Sequence, residues 1–276
     1  WLLWAMWWPH PMARLRSMPT ESSADFKGPT MTRIVSPLHL AQGAAAATSR
    51  FDVYTSIHKA LRQFMADTLA RAGRLDADDD REREMVLDQV EALLLQMRSH
   101  LQHENHFVHA AIEARRPGGS RTTAADHVGH LESMRNLEDE AQALRHARPA
   151  QRGPLALRLY RHLGVFVGEN LEHMHVEEIE NHASLWELYT DDELMDMHAR
   201  LLASIGPDEM ATTARWMAAS LNPQELATLF TEARRNAPPE AFSALLDIAR
   251  AQLDDSRWAK LARALGEPPV PGLVTV

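Results

Sequence analysis

The chain contains no cysteine. Disulfides, iron–sulfur clusters, thiolate zinc sites and thiol nucleophiles are therefore excluded. Aromatic residues make up only 6%, and Val, Ile, Tyr and Thr rarely alternate over a useful length, so strand signals are nearly absent. Positive charge is in deficit: 29 Lys and Arg face 38 Asp and Glu, with no long basic run. A nucleic-acid-binding surface needs clustered positive charge and is not expected here. Long apolar runs are missing too. The Trp-rich start, WLLWAMWWPHPM, is interrupted at Pro9, short of the roughly 20 residues that span a membrane. It also lacks the basic region and small-residue cleavage site of a signal peptide. It reads as a non-native leader ahead of Met31, with a short interfacial anchor as the alternative. No membrane partner is expected, and the lack of cysteine and of an export signal points to the cytoplasm.

Histidine is what the chain has in excess. There are 15, and 12 of them fall between 100 and 198. With 45% hydrophobic residues over 276 positions, the chain can also bury one large core or two small ones. Metal or proton chemistry inside a globular protein is the first idea these numbers raise.

Apolar residues recur at spacings of three and four, the signature of amphipathic helices. Helices are expected at about 51–72, 81–114, 122–146 and 154–188. They are separated by Gly73 with the acidic run 76–80, by Pro117-Gly118-Gly119, and by Pro149, Gly153 and Pro154. The third is expected to open on Thr122 or Thr123. The fold class is all-α: an up-down-up-down four-helix bundle over 51–190, then a smaller helical domain over 191–266. Thr190 and Glu193 form a capping-box pattern at that junction. Residues 1–50 read as a leader and mobile arm, and 267–276 as a loose tail.

Residues three and four apart share a helix face. On the second helix the stripe Val90, Leu93, Met97 continues as His100 and Glu104. On the fourth, Leu155, Leu159, Phe166 and Asn170 lead to His173 and Glu177. On the third, His127 and His130 precede Met134, Leu137 and Ala141; on the first, His58 lies beside Ile57, Leu61 and Met65. Four helices thus each offer an inward imidazole, and two add an inward carboxylate. A buried carboxylate is costly unless paired or bound to a cation. No Lys or Arg on these faces can be assigned to Glu104 or Glu177. Two metals would neutralise both, with the carboxylates bridging and the histidines as terminal ligands. Imidazole and carboxylate without thiolate suit iron or manganese, with zinc possible. The other histidines carry plainer expectations. His103, His106 and His109 drift around the helix, beside the site or in solvent. His175 faces away, and His146, His162, His182 and His198 lie at the surface or at helix ends.

Four blocks, IHKALRQFMADTLARAGRLD (57–76), HLQHENHFVH (100–109), ADHVGHLESM (125–134) and HMHVEEIENH (173–182), resemble the hemerythrin-like, HHE cation-binding proteins of bacteria over about 51–193. The resemblance implies a four-helix bundle with two non-haem irons, bridged by carboxylates and open to a small ligand. The ligand set it implies is His58, His100, Glu104, His130 with His127 as the alternative, His173 and Glu177, oriented by groups such as Asp126 or His103. Oxygen-carrying members have HxxxH on helix three and HxxxxD on helix four. Here the corresponding segments give HxxH (His127, His130) and HxxxE (His173, Glu177), with Glu178 at the fifth position. A carboxylate-rich site favours the ferric state, which points away from oxygen storage and toward iron, redox or nitric-oxide roles.

The function expected is a di-iron protein that binds or senses O2, NO or iron itself. The helices after 190, similar to an extension carried by some of these proteins, could meet a protein partner. The alternatives are a carboxylate-bridged oxidase or peroxidase and a structural adaptor stabilised by its metal; no acid–base pair beyond the ligands supports the enzyme.

Overall fold

The computed structural model describes residues 50–267, and every regular element among them is helical. The leader, the arm up to residue 49 and the tail from residue 268 lie outside the described residues. Helix α1 spans Thr55–Gly73. Helix α2 runs Asp80–His103, widens into a π-helical segment Glu104–His109, and continues as Ala110–Arg115. Helix α3 spans Arg121–Arg145. Helix α4 repeats the pattern of α2: Pro149–Val176, a π-helical segment Glu177–Asn181, then His182–Leu188. Five shorter helices follow: α5 Asp191–Ser204, α6 Pro207–Ser220, α7 Pro223–Asn236, α8 Pro239–Gln252 and α9 Asp255–Leu265. No helix among the described residues is long and apolar enough to cross a membrane.

The caps explain several boundaries. Asp79 accepts from the amides of Arg81 and Glu82 and starts α2. Thr190 and Glu193 form the expected capping box at α5, and Asn222 with Glu225 forms another at α7. Two boundaries differ from the sequence reading. Helix α3 is capped two or three residues earlier, at Ser120, and Thr123 instead turns its hydroxyl to the Ser120 carbonyl and to His109. Helix α4 starts at Pro149, whose fixed φ suits a first helical position, and carries Pro154 inside its second turn at the loss of one ladder bond.

Helix α1 packs on α2 and α4, and α3 packs on the same two, so the four long helices enclose one core. Leu61, Phe64 and Met65 of α1 meet Leu94 and Met97 of α2, Met134 and Leu137 of α3, and Leu163 and Phe166 of α4 there. A separate apolar cluster at one end contains Tyr54, Val108, Ile112, Leu185, Leu194 and Met197. Along α2 and α4 the first core ends near Leu101 and Met174, and the second cluster begins at Val108 and Leu185. Glu104 and Glu177 fall in the band between them. The shorter helices have their own core of Leu221, Leu226, Phe230, Leu253 and Leu261. They join the long helices through α6, which packs on α1; Trp216 stacks on Phe64 at 4.1 Å between ring centroids.

Candidate metal centre

Each long helix delivers a buried histidine to the band between the two apolar clusters. His58 comes from α1, His100 from α2, His127 from α3 and His173 from α4. The two carboxylates, Glu104 and Glu177, are 2% and 0% exposed and are the first residues of the two π-helical segments. A π turn is a local disruption that recurs at functional sites. Here both disruptions start on a candidate ligand.

The six side chains form two groups of four converging donors. One is His58, His100, Glu104 and Glu177; the other is Glu104, His127, His173 and Glu177. Both carboxylates belong to both groups. His58 Nε2 lies 3.6 Å from Glu104 Oε1 and 3.6 Å from Glu177 Oε2, and His100 Nε2 lies 3.0 Å from Glu104 Oε1. On the other side His127 Nε2 is 3.4 Å from Glu104 Oε2, and His173 Nε2 is 3.3 Å from Glu177 Oε1. None of the four carboxylate oxygens accepts a hydrogen bond, and His58 Nε2 and His100 Nε2 are also unpartnered. Buried oxygens in that state are costly, and a cation between them removes the cost.

The ring orientations are set from outside the centre. His58 Nδ1 donates to Glu178 Oε1 at 3.0 Å, and Arg62 holds Glu178 with two bonds of 2.6 and 3.0 Å. His127 Nδ1 donates to Asn105 Oδ1 at 3.0 Å, and His173 Nδ1 to Asp126 Oδ2 at 3.4 Å. Each of these acceptors fixes the proton on Nδ1 and leaves the Nε2 lone pair facing inward. The consequence is sharpest between His127 and His173, whose Nε2 atoms are 2.9 Å apart. Two lone pairs at that distance repel unless a proton or a metal sits between them.

Electrostatics fit the same picture. Burial lowers the basicity of His58, but the nearby Glu104 carboxylate, the hydrogen bond to Glu178 and the charge of Glu177 outweigh it and push its pKa up to about 9. Burial likewise opposes protonation of His173, yet Asp126 and Glu177 bring it to about 10. Burial would raise the Glu104 pKa, but the imidazoles of His100, His127 and His58 packed around it hold it well below the usual carboxylate range. For Glu177, burial and the Glu104 charge raise the pKa while His127 and His173 lower it, and the histidines prevail. Glu178 is ionised: burial is overcome by His58 and Arg62, leaving it at about 2. Both shared carboxylates are thus in the charged form that can ligate a cation.

Of the seven residues singled out in the sequence, six enter these two groups. His130 is buried but stands outside both, its ring edge-on to His173 with centroids 4.9 Å apart. Burial and the charges of His173 and His127 depress its pKa to about 4. Of the two orienting residues expected, Asp126 does hold His173, whereas His103 faces Glu209 of α6 at 3.5 Å. Of the two positions expected for His109, the structure gives the one beside the site: it is buried next to Glu177. His182 is buried rather than at the surface, stacked on Trp186 and 3.2 Å from Asp52. Tyr54, Asn105, Thr123 and Asn181 complete the surroundings: Asn181 donates to the Tyr54 hydroxyl at 3.1 Å. No spacing in the sequence marks these residues, because helical periodicity assumes an unbroken α-helix.

No protein-family model matches this chain, and no curated protein or solved structure matches it either.

Proposed function

We propose that this chain is a hemerythrin-like protein: its four long helices form an up-down-up-down bundle around two non-haem irons, and it binds or senses a small ligand there. The observation that carries this reading is the sharing of Glu104 and Glu177 by two four-donor groups. Two divalent ions would be held by His58 and His100 on one side and by His127 and His173 on the other, with both carboxylates between them. Mixed imidazole and carboxylate donors without thiolate suit iron or manganese, with zinc a poorer fit. Iron in such a site supplies redox chemistry and affinity for O2 or NO. The chain's own residues do the rest. Glu178, Asn105 and Asp126 hold the imidazoles in the ligating tautomer. The apolar clusters on either side keep bulk water out.

The ligand is small on this reading. His100, the most exposed of the six donors, is only 8% exposed. A diatomic molecule or a metal ion can reach such a centre more readily than an organic substrate, which favours binding or sensing over an oxidase. The test is the metal content of the purified protein together with its near-UV and visible absorption. About two irons per chain, with bands that shift on adding azide or NO, support the reading. A chain that takes up no metal, or a single zinc without visible bands, overturns it.

A further inference from the structure

Next to the six donors sits a seventh buried imidazole. His109 is 4% exposed and closes the π-helical segment that Glu104 opens. In an unbroken α-helix a residue five positions after Glu104 would lie about 140° around the axis, away from the centre. The wider π turn brings it back. Its ring stacks on that of His127 with centroids 4.8 Å apart and planes 22° apart. Its Nδ1 lies 3.1 Å from Asn105 Oδ1, the same oxygen that accepts from His127. One amide oxygen therefore fixes two imidazoles in the same tautomer, both with Nε2 available as a donor to a metal.

We propose that His109 is a further metal ligand, giving the ion held by His127 and His173 a third imidazole and making the two metal positions unequal. This rests on the dinuclear reading above. His109 Nε2 lies 3.9 Å from Glu177 Oε1, while His173 and His127 lie 3.3 and 3.7 Å from the same oxygen. Two atoms bound on opposite sides of one ion are about 4.2 Å apart, given bonds of about 2.1 Å. The spacing of His109 from Glu177 thus falls within the span of one coordination sphere. Its Nε2 is at present 3.1 Å from Thr123 Oγ1, but that hydroxyl has a second acceptor in the Ser120 carbonyl at 3.1 Å. Freeing the nitrogen for a metal leaves no group unsatisfied. A plain core histidine explains the burial but not the π turn, the shared Asn105 and the approach to Glu177 together.

The test is anaerobic titration of the full chain with Co(II) against a competing chelator, following the visible d–d bands. His109→Phe keeps the ring and its stack; His109→Gln keeps polar ends toward Asn105 and Thr123 and covers the case in which the first variant fails to fold. In the folded variant one of the two Co(II) dissociation constants is expected to rise tenfold or more, while the other stays unchanged. Proton NMR of the Co(II) form is expected to lose one hyperfine-shifted exchangeable imidazole resonance, which a merely structural histidine would not contribute. Variants that load two Co(II) with wild-type constants, bands and resonances overturn the assignment and leave the dinuclear reading standing. A wild-type chain that binds no Co(II) overturns both.

Discussion

Metal loading should expel protons, and the structure says how many. In the metal-free centre Glu104 and Glu177 are ionised and must be neutralised by imidazolium. His58, pushed up to about 9, carries one proton at pH 7. The His127–His173 pair carries the second; His173 is raised to about 10, and the 2.9 Å between the two Nε2 atoms leaves room for one shared proton. A metal needs the neutral rings, so filling both positions releases about two protons. Between pH 6 and 8 the overall two-metal binding constant should therefore rise about 100-fold per pH unit. The same shifts bear on stability. Both histidines are more basic in the fold than their ordinary value of 6.5. Their contribution is fully present below pH 6.5 and is lost as pH rises through about 9 and 10. The shifts are worth on the order of 3 kcal/mol for His58 and about 5 kcal/mol for His173 to the metal-free protein. The metal-loaded protein should lack this decline, since its imidazoles no longer titrate. The assay is calorimetric titration with Fe(II) in buffers of different ionisation enthalpy, which counts the protons. Thermal melts of both forms from pH 6 to pH 10 complete it. Fewer than one proton released, or a metal-free melting temperature that does not fall toward pH 10, would refute the protonation scheme.

Three further outcomes follow from the geometry. Glu177→Ala should abolish binding of at least one metal ion with far-UV circular dichroism largely unchanged; undiminished metal stoichiometry would sink the ligand assignment. His127→Ala should lower metal content whereas His130→Ala should retain two ions, because Asn105 orients only the former ring toward the centre; metal analysis of the pair separates them. Trp216→Ala removes the stack of α6 on Phe64 and should cost about 2 kcal/mol, less than a fully buried Trp because this one is half-buried; denaturant unfolding measures it.

The features legible in the sequence were those that an α-helix repeats. The HxxxE pairs at His100 and His173 sit on apolar stripes, and the structure places both pairs at the centre of the fold. The Thr190 capping box was legible for the same reason, being local, whereas Asp126 reaches His173 from a different helix. His127 and His130 could not be separated from sequence, since residues three apart share a face and both are buried. What decides between them is Asn105, on a different helix.

The π-helical segments account for the largest gap. Extending the α-period past Glu104 puts Phe107 and Ala111 inward; the structure buries Val108, His109 and Ile112 instead. One residue is inserted into the turn, and every position after it rotates by about one residue's worth of arc, roughly 100°. The same widening after Glu177 carries His182 into the interior. Each insertion begins at a carboxylate shared by both donor groups. A regular helix would hold its ladder more tightly but would present four residues per face at fixed intervals. The wider turn lets Glu104 and His109, five apart, look into one chamber, and on the opposite helix it brings His182, five after Glu177, into the interior. That is a local cost accepted at the place where polar side chains converge, and it is the pattern expected of a site built for chemistry rather than for stability.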